Sequence, residues 1–319
     1  MISRGIAPNI VTYNSLIQGV CNIGQWKEAK SLLNEMVSRN IFPDVVTFNV
    51  LVDTLCKEGM VVEAKSVVEI MIQRDIEPDV ITYNSLMDGY CLRGEMDEAR
   101  KVFDLMLSMA CMVNVSSCNI LIIGYCKHKK IDQANRVFQE MLRRELVPNT
   151  ITYNTLIDSF CKAGRIQVAE KLFSQMQDGR QQGEVNIVIY TIIIEGLCKA
   201  GKLESATGVF SSLSSKRVQP NVRTYTVMIN GLCDGGLLVE AEKLLIEMGE
   251  KGCSPDGCTY NIIIRGFINN NETSRAVGLI QEMVEMGFSA DASTTELIID
   301  LLSKDKVDPA LLSLLKSSL

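Results

Sequence analysis

The 319-residue sequence predicts an all-α fold, an α-solenoid of stacked helix–turn–helix repeats of 35 residues. Three observations carry that prediction. The chain is self-similar at a fixed step: residues 45–79 (VVTFNVLVDTLCKEGMVVEAKSVVEIMIQRDIEPD) align with 10–44 (IVTYNSLIQGVCNIGQWKEAKSLLNEMVSRNIFPD) and, moved forward, with 80–114 and 115–149. Within each repeat the apolar residues follow helical spacing twice. One such pair of helices cannot bury its own apolar stripe, so neighbouring repeats must stack.

The elements follow in order. In 10–44, Tyr13, Leu16, Ile17, Val20 and Cys21 fall at i, i+3, i+4, i+7 and i+8 and define the first helix. Gly24 stands where the backbone needs a left-handed stop. Ala29, Leu32, Leu33 and Met36 repeat the spacing on a second helix, with the small Ala29 marking a close approach of two helices. Pro43 ends the repeat, because proline cannot continue a helix and drives Phe42 toward an extended conformation. Eight repeats follow this plan: 10–44, 45–79, 80–114, 115–149, 150–186, 187–221, 222–256 and 257–291. The fifth has two extra residues in its tail, around 178–183, which a loop absorbs at small entropic cost. The fourth is the least regular, with Cys118 where others have Tyr or Phe and Lys129 where most have Gly. Residues 1–9 contain SRGIAPN, like SRNIFPD at 38–44, and read as the tail of a truncated repeat. The repeat phase therefore predicts a missing N-terminal part. Residues 292–319 form a degenerate C-terminal capping repeat, in which Asp308-Pro309 reads as a helix N-cap and first turn.

Composition narrows the function classes. Apolar residues make up 47% of the chain and charged residues 22%, as in a folded protein with a continuous core. With a net charge of −6, nucleic-acid binding cannot be inferred from bulk electrostatics and must rest on local charge. The longest apolar run, 187–194, includes Tyr190 and Thr191 and stops at Glu195, too short for a membrane span. The start, MISRGIAPN, has neither a signal-peptide apolar stretch nor a transit-peptide composition. Cys21, Cys56, Cys91, Cys126, Cys161, Cys198 and Cys233 occupy one register position, so they are spread along the solenoid and cannot converge on one metal. They read as buried thiols of a reducing compartment. Cys253 and Cys258 lack a second pair. Met36, Met71, Met106, Met141, Met176, Met248 and Met283 share another core position. His128, the single histidine, sits in Lys127-His128-Lys129-Lys130 and reads as a solvated turn. There is no nucleophile elbow, zinc-deaminase signature or Gly-rich phosphate loop, so no enzyme, cofactor or metal site is expected.

The recurring pattern VTYNxLIxxxCKxGxxxEAxxxxxxMxxxxIxPD, seen in 150–176 and 10–44, resembles the pentatricopeptide repeat. That family comprises modular single-stranded RNA binders, found mostly in plant organelles. The resemblance covers nearly all of the chain. Uniform 35-residue repeats look like its P class, and the Cys-Lys-x-Gly and Glu-Met signatures look like its restorer-of-fertility-like branch. The tetratricopeptide repeat has 34 residues and a Trp/Leu/Gly/Tyr pattern that is lacking here; Trp26 does not recur. The resemblance implies a right-handed superhelix that reads one base per repeat. By its rule the fifth and last residues of each repeat do the reading: Asn14/Asp44, Asn49/Asp79, Asn84/Asn114, Asn119/Asn149, Asn154/Asn186, Thr191/Asn221, Thr226/Asp256 and Asn261/Asp291. Short polar residues beside an apolar stripe are hard to explain by packing, although Asn and Asp at a repeat's end also suit turns. A carboxylate suits the ring N–H of uracil or guanine, and an amide donor suits cytosine or adenine. The family associates Asn at the fifth position with pyrimidines and Thr with purines. The expected target is thus 5′-UUYYYAGU-3′, read from the N-terminal repeat onward.

Two further rows belong to the same resemblance. Val11, Val46, Ile81, Ile151 and Val188 match the family's aliphatic wedge that sandwiches bases, whereas Ser116, Arg223 and Cys258 depart from it. Lys57, Lys127, Lys162 and Lys199 follow the Cys and form a row suited to phosphates; Asn22, Leu92, Asp234 and Asn269 replace it elsewhere. The alternative reading of that row is a solvated helix end. Family resemblance also implies a mitochondrial protein, with the plastid second, that affects transcript processing, stability or translation, by blocking or recruiting nucleases. The competing reading is a helical-repeat scaffold for a protein or peptide partner.

Overall fold

The computed structural model describes residues 7–109, 113–177 and 186–303. Most of the 1–9 tail, the insertion around 178–183 and the Asp308-Pro309 segment lie outside the described residues. Seventeen α-helices and no strand occupy them, giving an all-α helical-repeat solenoid. First helices are α1 (Ile10–Asn22), α3 (Val45–Lys57), α5 (Val80–Leu92), α7 (Val115–Lys127), α9 (Thr150–Lys162), α11 (Ile187–Lys199), α13 (Val222–Asp234) and α15 (Gly257–Asn269). Second helices are α2 (Trp26–Ser38), α4 (Val61–Gln73), α6 (Met96–Ser108), α8 (Ile131–Arg143), α10 (Ile166–Gln177), α12 (Leu203–Ser215), α14 (Leu238–Glu250) and α16 (Thr273–Glu285), followed by α17 (Ala292–Ser303). They fall into two compact units, Met1–Leu156 and Ile157–Leu319.

Within each unit the same residues build the core. Ala29, Ala64, Ala99, Ala134, Ala169, Ala206 and Ala241 are fully buried, as are Met36, Met71, Met106, Met141 and Met248. A first helix packs on the second helix of its repeat and on the first helix of the next, as α3 does on α4 and α5. Leu16 departs from its expected place in the stripe: it is 49% exposed, while its register counterparts Leu51, Leu86 and Leu121 are buried. Between successive first helices the approach is set by a Cys and a Gly. A Cβ added to Gly124 would lie 2.6 Å from Cys91 Sγ, and one added to Gly89 would lie 2.6 Å from Cys56 Sγ. Burial pushes the thiols of Cys56, Cys91, Cys161 and Cys233 up to about 12.

The turns obey the same register. Gly24 adopts φ +71°, and in the fourth repeat Lys129 takes up that left-handed conformation at φ +59°. His128 is not simply a solvated turn residue. Its Nε2 donates to Cys91 O at 3.0 Å, joining its repeat to the preceding one. Arg93 Nη1 reaches Gly59 O at 2.9 Å and Asn270 Nδ2 reaches Cys233 O at 3.1 Å from the same register position. These side chains satisfy carbonyls that a helix C-terminus leaves without an intrahelical partner.

Candidate functional site

The last residue of each repeat caps the first helix of the next. Oδ1 of Asp44, Asp79, Asn114, Asn149, Asn221, Asp256 and Asp291 accepts the backbone N–H three residues on, at 2.8 to 3.1 Å. Asn186 accepts from Val188 N and Ile189 N. The turn preference of Asn and Asp is thus realised as helix capping. Capping accounts for a short polar residue here, but Asp and Asn cap about equally well, so it does not choose between them. The choice lies in the second terminal atom. Among the described residues, only Oδ1 of Asp44, Asp79 and Asp256 makes a hydrogen bond, leaving Oδ2 as an acceptor; in Asn114 and Asn221 the same arrangement leaves Nδ2 as a donor. Burial alone would raise the pKa of Asp44, but hydrogen bonds from Thr47 and Asn14 outweigh it and hold the carboxyl below its ordinary value.

The fifth residue lies beside this cap. Asn14 Nδ2 donates to Asp44 Oδ1 at 3.2 Å, Asn49 Nδ2 to Asp79 Oδ1 at 3.1 Å, and Asn119 Nδ2 to Asn149 Oδ1 at 3.1 Å. The hydroxyl of the third residue of the next repeat closes each triangle: Thr47 donates to Asn14 Oδ1 at 2.6 Å, Thr82 to Asn49 Oδ1, and Thr152 to Asn119 Oδ1 at 2.7 Å. In the second unit Thr191 and Thr226 hold Ile187 O and Val222 O and meet Thr224 and Thr259, each at 2.8 Å. Asn84 and Asn154 differ, each with a buried Oδ1 that has no partner. In the eighth repeat Arg265 Nη1 lies 3.0 and 2.7 Å from the two oxygens of Asp291, so the second oxygen is taken. The Thr294 backbone N–H and the Arg265 guanidinium hold the Asp291 carboxyl down at about 2.

At about 100° per residue, positions two, five, nine and thirteen of a first helix share an arc of about 80°. Beside the polar pairs on that arc stand the aliphatic residues, all exposed: Val11 by 65%, Val46 by 51%, Ile81 by 61%, Ile151 by 54% and Val188 by 48%. Ser116, Arg223 and Cys258 are likewise exposed at that position in other repeats. Lys57, Lys127, Lys162 and Lys199 are exposed on the arc as well. Three of them meet carboxylates one turn earlier: Lys57–Asp53 at 2.6 Å, Lys162–Asp158 at 2.7 Å and Lys199–Glu195 at 2.6 Å. Such exposed pairs are worth about 0.3–0.5 kcal/mol, so a phosphate can compete for the ammonium. A groove of about 340 Å³ runs between the C-terminal part of α9 and α11, lined by Asp158, Cys161, Lys162, Glu195, Gly196 and Lys199. Among the described residues no three His, Cys, Asp or Glu side chains converge to hold a metal ion, and no helix is long and apolar enough to cross a membrane.

Two contributors escape a reading of single positions. The third-residue hydroxyls are visible in sequence only as Asx-x-x-Thr recurring at the 35-residue step. The acidic partners of the lysines are visible as i, i+4 pairs.

The sequence profile described as "PPR repeat family" matches residues 8–57, 43–92, 78–124, 113–162, 148–182, 185–234 and 258–304, and one described as "PPR repeat" matches 223–253. A comparison with curated proteins finds no match. Among solved structures, the pentatricopeptide repeat protein PPR10 of maize, in complex with an 18-nucleotide psaJ RNA element, is similar at a TM-score of 0.76 and 24% identity. The match covers 99% of this chain and 46% of that one, so the chain spans about half the length of this relative. Yeast Rmd9p in complex with a 16-nucleotide target RNA is similar at a TM-score of 0.48 and 11% identity, over 92% of this chain and 75% of that one.

Proposed function

Since the chain belongs to the PPR repeat family, we propose that it binds single-stranded RNA, one base per repeat, along the arc of first helices. The observation that carries this reading is the exposed aliphatic row beside capped polar pairs. Apolar side chains left in water at one register position gain most from stacking on a flat apolar surface, and a base supplies it. Each neighbouring cap presents an acceptor or a donor at base-edge reach, which an apolar partner surface would leave unsatisfied. Reading Asp as acceptor and Asn as donor, with Asn or Thr at the fifth position choosing pyrimidine or purine, the repeats specify 5′-UUYYYAGU-3′. Lys57, Lys127, Lys162 and Lys199 contact the phosphates.

In this reading the chain grips RNA without catalysis, and it acts in an organelle, the mitochondrion before the plastid. Binding alters the processing, stability or translation of a transcript by blocking or recruiting nucleases. The Cys-Lys-x-Gly and Glu-Met signatures support the restorer-of-fertility-like branch. The test is a mobility shift at fixed salt with 5′-UUCCCAGU-3′ and a scrambled RNA of the same composition. Selective retention of the first supports the proposal. Equal or absent binding of both favours a scaffold for a protein or peptide partner.

A further inference from the structure

The third and fourth repeats carry the same reader pair, Asn84/Asn114 and Asn119/Asn149, yet hold it differently. In the fourth, Asn149 Oδ1 is fixed by the cap, because it accepts the Thr152 backbone N–H at 3.1 Å. Asn119 must then present its Nδ2 to that oxygen, since a flipped amide would set two acceptors face to face. The Thr152 hydroxyl, 2.7 Å from Asn119 Oδ1, fixes the other end of the amide. Asn119 therefore has one orientation.

In the third repeat neither bond forms. The residue equivalent to Thr152 is Ser117, whose hydroxyl bonds only within its own cap, to Asn114 Oδ1 at 3.2 Å and from Asn114 N at 3.4 Å. The Asn84 Oδ1 is buried with no partner. The chemical difference is a single methyl group. Of the two hydroxyls, only that of Thr152 reaches the reader amide.

We propose that the third residue of the following repeat is a positioning residue for the reader, and that Ser117 leaves Asn84 free to present either amide edge. The third base is therefore read less selectively than the fourth, although their reader pairs are identical. This inference rests on the RNA-reading proposal above and adds a residue outside the two-residue pair to what determines selectivity.

The test exchanges the two residues, Ser117→Thr and Thr152→Ser. Both retain the capping hydroxyl, and circular dichroism checks that each variant folds. Competition binding uses 5′-UUCCCAGU-3′ against RNAs with adenine at the third or the fourth base. The Ser117→Thr variant is expected to raise cytosine preference at the third base about fivefold, the value of one net hydrogen bond, and Thr152→Ser to lower it at the fourth by a similar factor. If each substitution changes affinity for all RNAs equally, or leaves the ratios unchanged while the wild type discriminates, positioning is refuted and base reading stands. If the wild type discriminates at no base, the RNA-reading proposal itself fails, and the inference with it.

Discussion

Adding one methyl group at Gly266 probes the contact that sets the spacing of the first helices. A Cβ built there lies 2.5 Å from both Cys233 Cβ and Cys233 Sγ, inside the 3.0 Å that Cβ atoms essentially never cross. The cysteine side chain is short and rooted in α13, so α13 and α15 must part. Overpacking of this kind costs about 1–3 kcal/mol. Replacing a helical glycine by alanine returns about 0.8–1 kcal/mol. The net for Gly266→Ala is a loss of about 1 kcal/mol. Gly208, in α12, is the control, because a Cβ there meets nothing within 4 Å. Gly208→Ala should therefore stabilise by about 0.8–1 kcal/mol. Both substitutions change the same propensity, so their difference isolates the contact. Cys233→Ala in the Gly266→Ala background should recover part of the loss, a coupling that marks direct contact. Denaturant titration followed by circular dichroism suits the comparison, with midpoints compared because repeat arrays need not unfold in one step. Equal stabilisation by both glycine substitutions would refute the close approach.

The remaining predictions concern charge and thiols. With desolvation holding Cys56, Cys91, Cys161 and Cys233 near 12, alkylation of the native protein at pH 8 should label the exposed Cys258 well before these four, of which Cys161 is half-buried; equal labelling rates would contradict their raised values. These raised pKa values contribute stability that is complete below the ordinary thiol value and is lost as pH rises toward 12, so the unfolding midpoint should fall through that window. Changing Lys57, Lys127, Lys162 and Lys199 together to Ala should weaken all RNAs alike and flatten the log–log salt slope by about 3, from about 0.7 per contact; an unchanged slope would assign them to plain solvated surface. Arg265→Ala should free the second oxygen of Asp291 and raise uracil preference at the eighth base; no change in that preference would show that the ion pair does not block reading.

Much of the fold was legible because the chain repeats. Ala29, Met36 and their counterparts recur at one spacing, and periodic burial is what stacking helices require. Leu16 was less legible, since its burial depends on neighbouring repeats and not on its own helix. The composition of Lys127-His128-Lys129-Lys130 suggested solvent, yet the bond from His128 to Cys91 O spans 37 residues, beyond any local pattern. At the candidate site, the resemblance could nominate the fifth and last positions but not their hydrogen bonds. The Thr152–Asn119 bond spans 33 residues and arises only once repeats stack, while the Arg265–Asp291 pair spans 26 within one repeat and arises only once that repeat folds back on itself. The aliphatic row shows the opposite case: its exposure makes little sense within the repeat and becomes informative beside the capped pairs.

The central claim, that the second terminal atom of each cap reads a base, is tested most directly by Asn221→Asp. Asn221 Oδ1 accepts Thr224 N at 3.0 Å, while Nδ2 makes no bond to the described residues. Aspartate keeps the capping oxygen, and its charge suits a helix N-terminus, so folding should be unaffected or slightly favoured. Only the outward donor becomes an acceptor. The sixth and seventh pairs, Thr191/Asn221 and Thr226/Asp256, differ by this same change. Competition between 5′-UUCCCAGU-3′ and 5′-UUCCCGGU-3′ should show wild type favouring adenine at the sixth base and the variant favouring guanine. By analogy with base-edge contacts in DNA, the shift should be on the order of 1–3 kcal/mol. Equal binding of both RNAs by both folded proteins would contradict base reading by the cap.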